Sequence, residues 1–171
     1  MPNHVTNRII FPADLADRVR TECFRDNRFT FEALIPTPLY VYQGNLSAQD
    51  DKDFPCNWNT WNKEHWGTKW DAYNSSLVVE GDKAILTFDT AWNPPRPIIV
   101  AFANKYRCDF IFKSFDEGRN FWLIEEWGTN DVFNDGSDGS CYRRKNRYKV
   151  AEDMKTLCME LKGYDPDEDR E

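Results

Sequence analysis

The chain has few residues that could tie it together covalently or hold a metal. Cys23, Cys56, Cys108, Cys141 and Cys158 are odd in number, widely spaced and free of any C-x-x-C pair, which argues against a disulfide framework. Only His4 and His65 could join them as ligands, and neither stands at ligand spacing, so no metal site is expected. The sequence contains no Walker motif, no G-x-G-x-x-G, no G-x-S-x-G and no HExxH. The common nucleotide-binding and nucleophile-based enzyme classes lose their support, and no cofactor is expected. No stretch approaches the roughly 20 apolar residues of a bilayer crossing. Met1-Pro2-Asn3-His4 also lacks the basic and apolar start of a secretory leader, so a cytoplasmic protein with no membrane partner is expected.

What the chain does have is rings. Seven Trp, seven Tyr and twelve Phe in 171 residues allow a polar-looking sequence, with a mean hydropathy of −0.75, to bury a large apolar area, since each ring covers about 150–250 Å². Disorder throughout is excluded, and the length suits one domain. Charge is uneven: the net of −7 divides into −1 over residues 1–108, −6 over 109–139, +5 over 143–149 and −5 over 150–171. A basic stripe thus lies between two acidic blocks.

Val5, Asn7, Ile9 and Phe11 alternate with Thr6, Arg8 and Ile10, the period of a strand. Asp14 then caps a helix carrying Leu15, Val19 and Cys23 on one stripe. A strand is expected over 29–35, ending at Pro36. Residues 36–74, rich in Pro, Asn and Trp, read as an insertion with a short helix near 57–65. Leu77–Glu80 and Ala84–Phe88 flank Gly81-Asp82-Lys83 as a hairpin. A helix after Pro97 carries Ile98, Phe102 and Tyr106 on one face. Residues 110–112 and 121–124 form a second hairpin about Asp116–Arg119. Asn134–Ser140 reads as a loop, and Val150, Met154, Leu157, Cys158 and Leu161 as a final helix ending near Gly163. This order contains β-α-β-β-α-β, so the expected fold is an α+β ferredoxin-like sandwich, an antiparallel sheet covered by helices on one face. The expected organisation is one domain over 1–164 and an acidic tail over 165–171.

Asn3-His4-Val5-Thr6-Asn7, Trp66-Gly67-Thr68-Lys69-Trp70-Asp71-Ala72, Phe88-Asp89-Thr90-Ala91-Trp92-Asn93-Pro94-Pro95 and Asp116-Glu117-Gly118 resemble the YubB-type ferredoxin-like proteins of bacterial plasmids, genomic islands and phages, over roughly residues 1–130. The resemblance implies a ferredoxin-like fold and a mobile-element origin. It brings no activity and no catalytic residue.

Three functional readings follow. The favoured one is a non-enzymatic accessory factor of a phage or plasmid that binds a host protein, such as a nucleic-acid-processing defence complex, in the manner of an anti-CRISPR inhibitor. Its contact would be an acidic face of Asp116, Glu117, Glu125, Glu126, Asp131, Asp135 and Asp138, complementary to a basic groove. The second is nucleic-acid binding through Arg143, Arg144, Lys145, Arg147 and Lys149, with Phe110, Phe112, Phe121 and Trp122 as sheet aromatics. Against it stand the absence of an RNP pattern and a pI of 4.9. The third is an enzyme of unknown type using His65, Lys69, Asp71, Asp89 and Arg96. Here the structural reading is stronger: Trp66, Trp70 and Trp92 with Pro94 and Pro95 as a clasp, and Lys69 with Asp71 as an ion pair. A calcium loop starting at Asp131 fails, because it puts Phe133 and Tyr142 where acidic ligands are required. Oligomeric state is left open.

Overall fold

The computed structural model describes residues 2–128 and 143–168. Strand β1 (His4–Pro12) lies at the centre of a six-stranded antiparallel sheet. Around it are β4 (Tyr73–Glu80), β5 (Lys83–Ala91), β6 (Phe110–Asp116), β7 (Trp122–Trp127) and β8 (Arg143–Tyr148), in the order β4-β5-β1-β6-β7-β8. Helices α1 (Ala16–Cys23), α4 (Arg96–Tyr106) and α5 (Ala151–Lys162) pack on it. A small hairpin of β2 (Phe24–Arg25) and β3 (Arg28–Phe29), with the short helices α2 (Asp50–Asp53) and α3 (Trp58–His65), fills the stretch between. Order β4-β5-β1-β6 with α1 and α4 is the ferredoxin-like arrangement; β7 and β8 extend it at one edge.

The alternation read from β1 decides what goes where. Val5, Ile9 and Phe11 are buried, and Ile9 and Phe11 share a core with Val19 and Cys23 of α1 and Ile98, Ile99 and Phe102 of α4. Thr6, Arg8 and Ile10 face the other way, where α5 lies: Arg8 and Lys113 both pair with Glu160 at 3.1 and 2.7 Å. Phe115, Leu157, Cys158 and Leu161 form a second, smaller core beneath α5. The expected one-faced cover therefore describes α1 and α4, while α5 shields part of the opposite face.

Register is pinned by a buried amide. Asn7 is fully buried and donates to Val5 O at 3.0 Å and Thr90 Oγ1 at 2.9 Å, while Ser114 Oγ donates to its Oδ1 at 2.9 Å. A slip of one residue in β5 or β6 would leave that amide unsatisfied in an apolar layer, a cost of about 1–3 kcal/mol added to the exposure of the whole apolar face.

The strand expected over 29–35 stops at Phe29. Thr30 accepts from Glu32 N, and Asp71 takes the Phe31 amide at 2.7 Å, so Phe31–Ala33 turns as a 3-10 helix. The ferredoxin strand expected there is supplied by β4 instead. The helix near 57–65 is α3, capped by Asn57 accepting from Thr60 N at 3.1 Å. Nearby rings join the insertion to the sheet: Phe88 meets Phe29 and Phe31 at 5.0 and 5.8 Å between centroids, and Trp66 meets Phe31 and Trp61 at 5.7 and 5.6 Å. The stretch read as a free acidic tail begins tethered, since Lys155 pairs with Asp165 and Asp167.

Candidate functional site

At one end of the sheet, on the α5 face, segments far apart in sequence make a polar bowl of about 400 Å³ lined by His4, Thr6, Asn74, Thr87, Asp89, Glu117, Leu161 and Lys162. The antiparallel register brings the start of β1 beside the ends of β5 and β6, and α5 ends over them. The runs 3–7, 88–95 and 116–118 therefore meet at this end.

Each polar group of the bowl is oriented by a neighbour. Asp89 accepts from buried Thr6 at 2.7 Å and from Asn74 at 3.0 Å. Glu117 Oε1 accepts the His4 amide at 2.7 Å. His4 Nδ1 lies 2.6 Å from the Tyr73 hydroxyl. Lys162 donates to His4 O at 2.8 Å. Burial lowers the Lys162 ammonium below its ordinary range, opposed by Asp89, Glu117 and Asp116. Burial first, and then Asp89 and Glu117, push the Tyr73 phenol up to about 12. Two oriented carboxylates facing one partly desolvated amine give the bowl a negative bias suited to a cationic group.

The residues proposed from sequence as an acidic face do not form one surface. Glu125 is fully buried on the core face of β7, paired with Arg96 of α4 and accepting from the Trp127 indole at 3.1 Å. It is withdrawn as a contact, and so is Asp116, which is buried and holds the turn beyond β6 by accepting from Asn120 N and Nδ2 at 3.1 and 2.7 Å. Glu117 and Glu126 are exposed. Asp131, Asp135 and Asp138 lie outside the described residues, as do the loop 134–140 and the calcium register tested there.

The basic stripe is strand β8, an element the sequence reading missed. Arg147 pairs with Asp153 of α5, and Lys149 stands 5.7 Å over the Tyr148 ring. The side chains of Arg143, Arg144 and Lys145 lie outside the description. Phe110 and Phe112 are buried in the core and Trp122 packs under α5, so the open aromatic sheet of an RNA-binding platform does not exist here.

The residues grouped as an enzyme site are dispersed. Asp71 accepts from Thr30 Oγ1 at 2.6 Å and from Phe31 N at 2.7 Å, whereas the Lys69 ammonium lies 5.2 Å over Trp70; the expected ion pair between them is replaced by these separate duties. His65 stacks on Trp61, and Arg96 holds Glu125. Asp89 alone enters the bowl. The clasp reading fits better: the Trp66 indole donates to Ile35 O at 2.9 Å, and buried Thr68 donates to Ala91 O at 2.7 Å. Gly67, with φ +78, has no room for a Cβ, which would stand 2.8 Å from the Pro97 ring. Trp70 and Trp92 are half exposed and hold little of the clasp.

A family model describing the ferredoxin-like domain in Api92-like protein matches residues 65–152. The chain belongs to this family of ferredoxin-like domains. The match takes in β4, β5, α4 and β6–β8, with Asn74, Asp89 and Glu117 of the bowl. No curated protein and no solved structure matches the chain. Among the described residues no cluster of three or more His, Cys, Asp or Glu is placed to hold a metal ion, and no helix is long and apolar enough to cross a membrane.

Sequence reasoning missed His4, Tyr73, Asn74, Glu117 as a bowl residue, and Lys162. The available signal was Asp89 and Glu117 in two of the quoted runs; nothing local marked Lys162, which is an ordinary basic residue in the last turn of a helix.

Proposed function

We propose that this domain is a non-catalytic binding module that docks on a protein and takes a lysine or arginine side chain of that partner into the bowl. The observation that carries the reading is the bowl itself, in which Asp89 and Glu117 are held in place by Thr6, Asn74 and the His4 amide. Orienting hydrogen bonds make the carboxylates a preorganised receptor, and complementary charge steers a basic surface toward it. Against chemistry, the thiols of Cys23 and Cys108 are pushed up by burial, and the Lys162 amine is engaged with a backbone carbonyl. The resemblance of 66–72 and 88–95 to mobile-element proteins supports an accessory factor of a phage or plasmid. A basic partner surface is what a host nucleic-acid-processing defence complex would offer, and occluding it is anti-CRISPR-like antagonism.

The test is capture of partners by the tagged protein from bacterial lysate with and without nuclease, repeated with Glu117→Gln, which keeps the hydrogen-bond acceptor and removes the charge. A partner that is released at high salt and bound several-fold more weakly by Glu117→Gln supports the reading. Capture that is indifferent to the substitution, or that disappears with nuclease, overturns it.

A further inference from the structure

β4 is the outermost strand on the β5 side of the sheet. β3 packs beside it near Ser75, whose Oγ accepts the Phe29 amide at 2.9 Å. Beyond that point, from Ser76 to Glu80, no backbone hydrogen bond among the described residues reaches β4 from outside its pairing with β5. Which groups point outward follows from the turn. Glu80 and Lys83 close the two-residue turn Gly81-Asp82 and exchange hydrogen bonds, so along the antiparallel ladder Ser76 and Val78 aim their N–H and C=O at β5, while Leu77 and Val79 aim theirs outward. Arg20 of α1 marks the same direction by donating to Leu77 O at 3.0 Å.

The side chains of this edge are apolar and open. Val78 is 46% and Val79 53% exposed, and the strand carries none of the proline, lysine or arginine that blunts an edge. Val78 also ends a row that crosses the α5 side of the sheet: it pairs with Ile85, Ile85 with Ile10, and Ile10 with Ile111, the three isoleucines being half-buried. Among the described residues neither Glu80 nor Arg20 has an oppositely charged partner within the chain.

We propose that Ser76–Glu80 pairs, antiparallel, with the same segment of a second copy of this chain, with Val78 on the twofold axis. In this register Leu77 and Val79 exchange both hydrogen bonds with the second copy's Val79 and Leu77. The two Val78 residues face each other with Cα atoms about 4.5 Å apart, and the two apolar rows become one across the joined sheets. Glu80 falls opposite the second copy's Ser76, beside the Arg20 that sits on Leu77, so each copy offers the other an ion pair. The segment is short and falls below the roughly 800 Å² per partner of a standard interface, so the dimer is weak and set by concentration. The inference goes beyond the docking reading, and none of Ser76–Glu80 lines the bowl.

The experiment is sedimentation equilibrium of the full chain from about 10 μM to about 1 mM. The mass is expected to rise from 20.2 kDa toward twice that value. Val79→Pro removes an outward donor and leaves the ladder to β5 intact; the two hydrogen bonds lost per dimer raise the dissociation constant about tenfold or more, while far-UV circular dichroism holds. Val78→Lys sets like charges against each other on the axis and weakens association in the same way, which keeps the test open should the proline variant fail to fold. Glu80→Arg also weakens it, and adding Arg20→Glu restores it, whereas Glu117→Gln associates as the parent does. A mass of 20.2 kDa at every concentration, a dimer indifferent to Val79→Pro or Val78→Lys, or no recovery in the charge-swapped double variant overturns the proposal.

Discussion

Two glutamates with the same formal charge have opposite roles, and substituting them separates fold from surface. Glu125 is 0% exposed and its cation, Arg96, is 39% exposed. Arg96→Ala strands a carboxylate in the core. Breaking one side of a buried pair costs about 3–5 kcal/mol, and the expected loss is at the lower end, about 3 kcal/mol, because the Trp127 indole still donates to Glu125 Oε2. Glu125→Gln keeps the shape and an acceptor for Trp127, and the Arg96 head can rehydrate, so its cost is about 1–2 kcal/mol. Glu117→Gln, on the exposed side, costs under about 0.5 kcal/mol. In thermal melts about 3 kcal/mol corresponds to a fall of about 6–12 °C for a domain of this size, and urea melts with unchanged slope give the free energies directly. The order Arg96→Ala, Glu125→Gln, Glu117→Gln is the test. If Arg96→Ala costs less than about 1 kcal/mol, or Glu125→Gln costs more than Arg96→Ala, the stranded-charge reasoning is wrong. Partner capture runs the other way, with Glu125→Gln retaining it and Glu117→Gln losing it.

Tyr73 has its phenol pushed up to about 12, so the fold favours the neutral form; the stability this contributes is complete below the ordinary value near 10 and is lost as pH rises from about 10 to about 12. The ring is partly open to solvent, which reduces the effect to about 1 kcal/mol; urea melts across that range should show an alkaline decline that Tyr73→Phe flattens, and an identical decline in Tyr73→Phe would assign it elsewhere. Asp71→Ala removes the acceptor of Thr30 Oγ1 and Phe31 N and is expected to cost about 3 kcal/mol, whereas Lys69→Ala, which loses a half-exposed contact with Trp70, costs about 0.5 kcal/mol. Equal costs in denaturant melts would restore the ion pair between Asp71 and Lys69.

Elements with long periodic patterns were readable one by one. The alternation of 5–11, the stripe of Val150, Met154, Leu157, Cys158 and Leu161, and the turn at Gly81 each announce a strand, a helix or a hairpin through local sterics and patterning, and the ferredoxin-like order follows from their succession. Residues 29–35 misled because Phe-Thr-Phe is good strand composition, while Thr30 and Asp71 offer the backbone competing hydrogen bonds. Strand β8 escaped because its composition is polar; its pairing with β7 stabilises it where propensity does not.

Aromatic content, sparse cysteine, segmental charge and element periodicity determined by themselves that the fold is α+β with a buried ring-rich core. Which carboxylates belong to a surface was decided only by the tertiary structure. Glu125 and Glu126 are neighbours in sequence with identical chemistry, yet the pleat of β7 turns one into the core against Arg96 and the other toward solvent. The bowl exists because antiparallel register and the end of α5 bring His4, Asp89 and Lys162 together from three separate elements, with Glu117 from the turn beyond β6. Local patterning reports the angle of a side chain about its own strand or helix, and long-range pairing sets what that side chain meets.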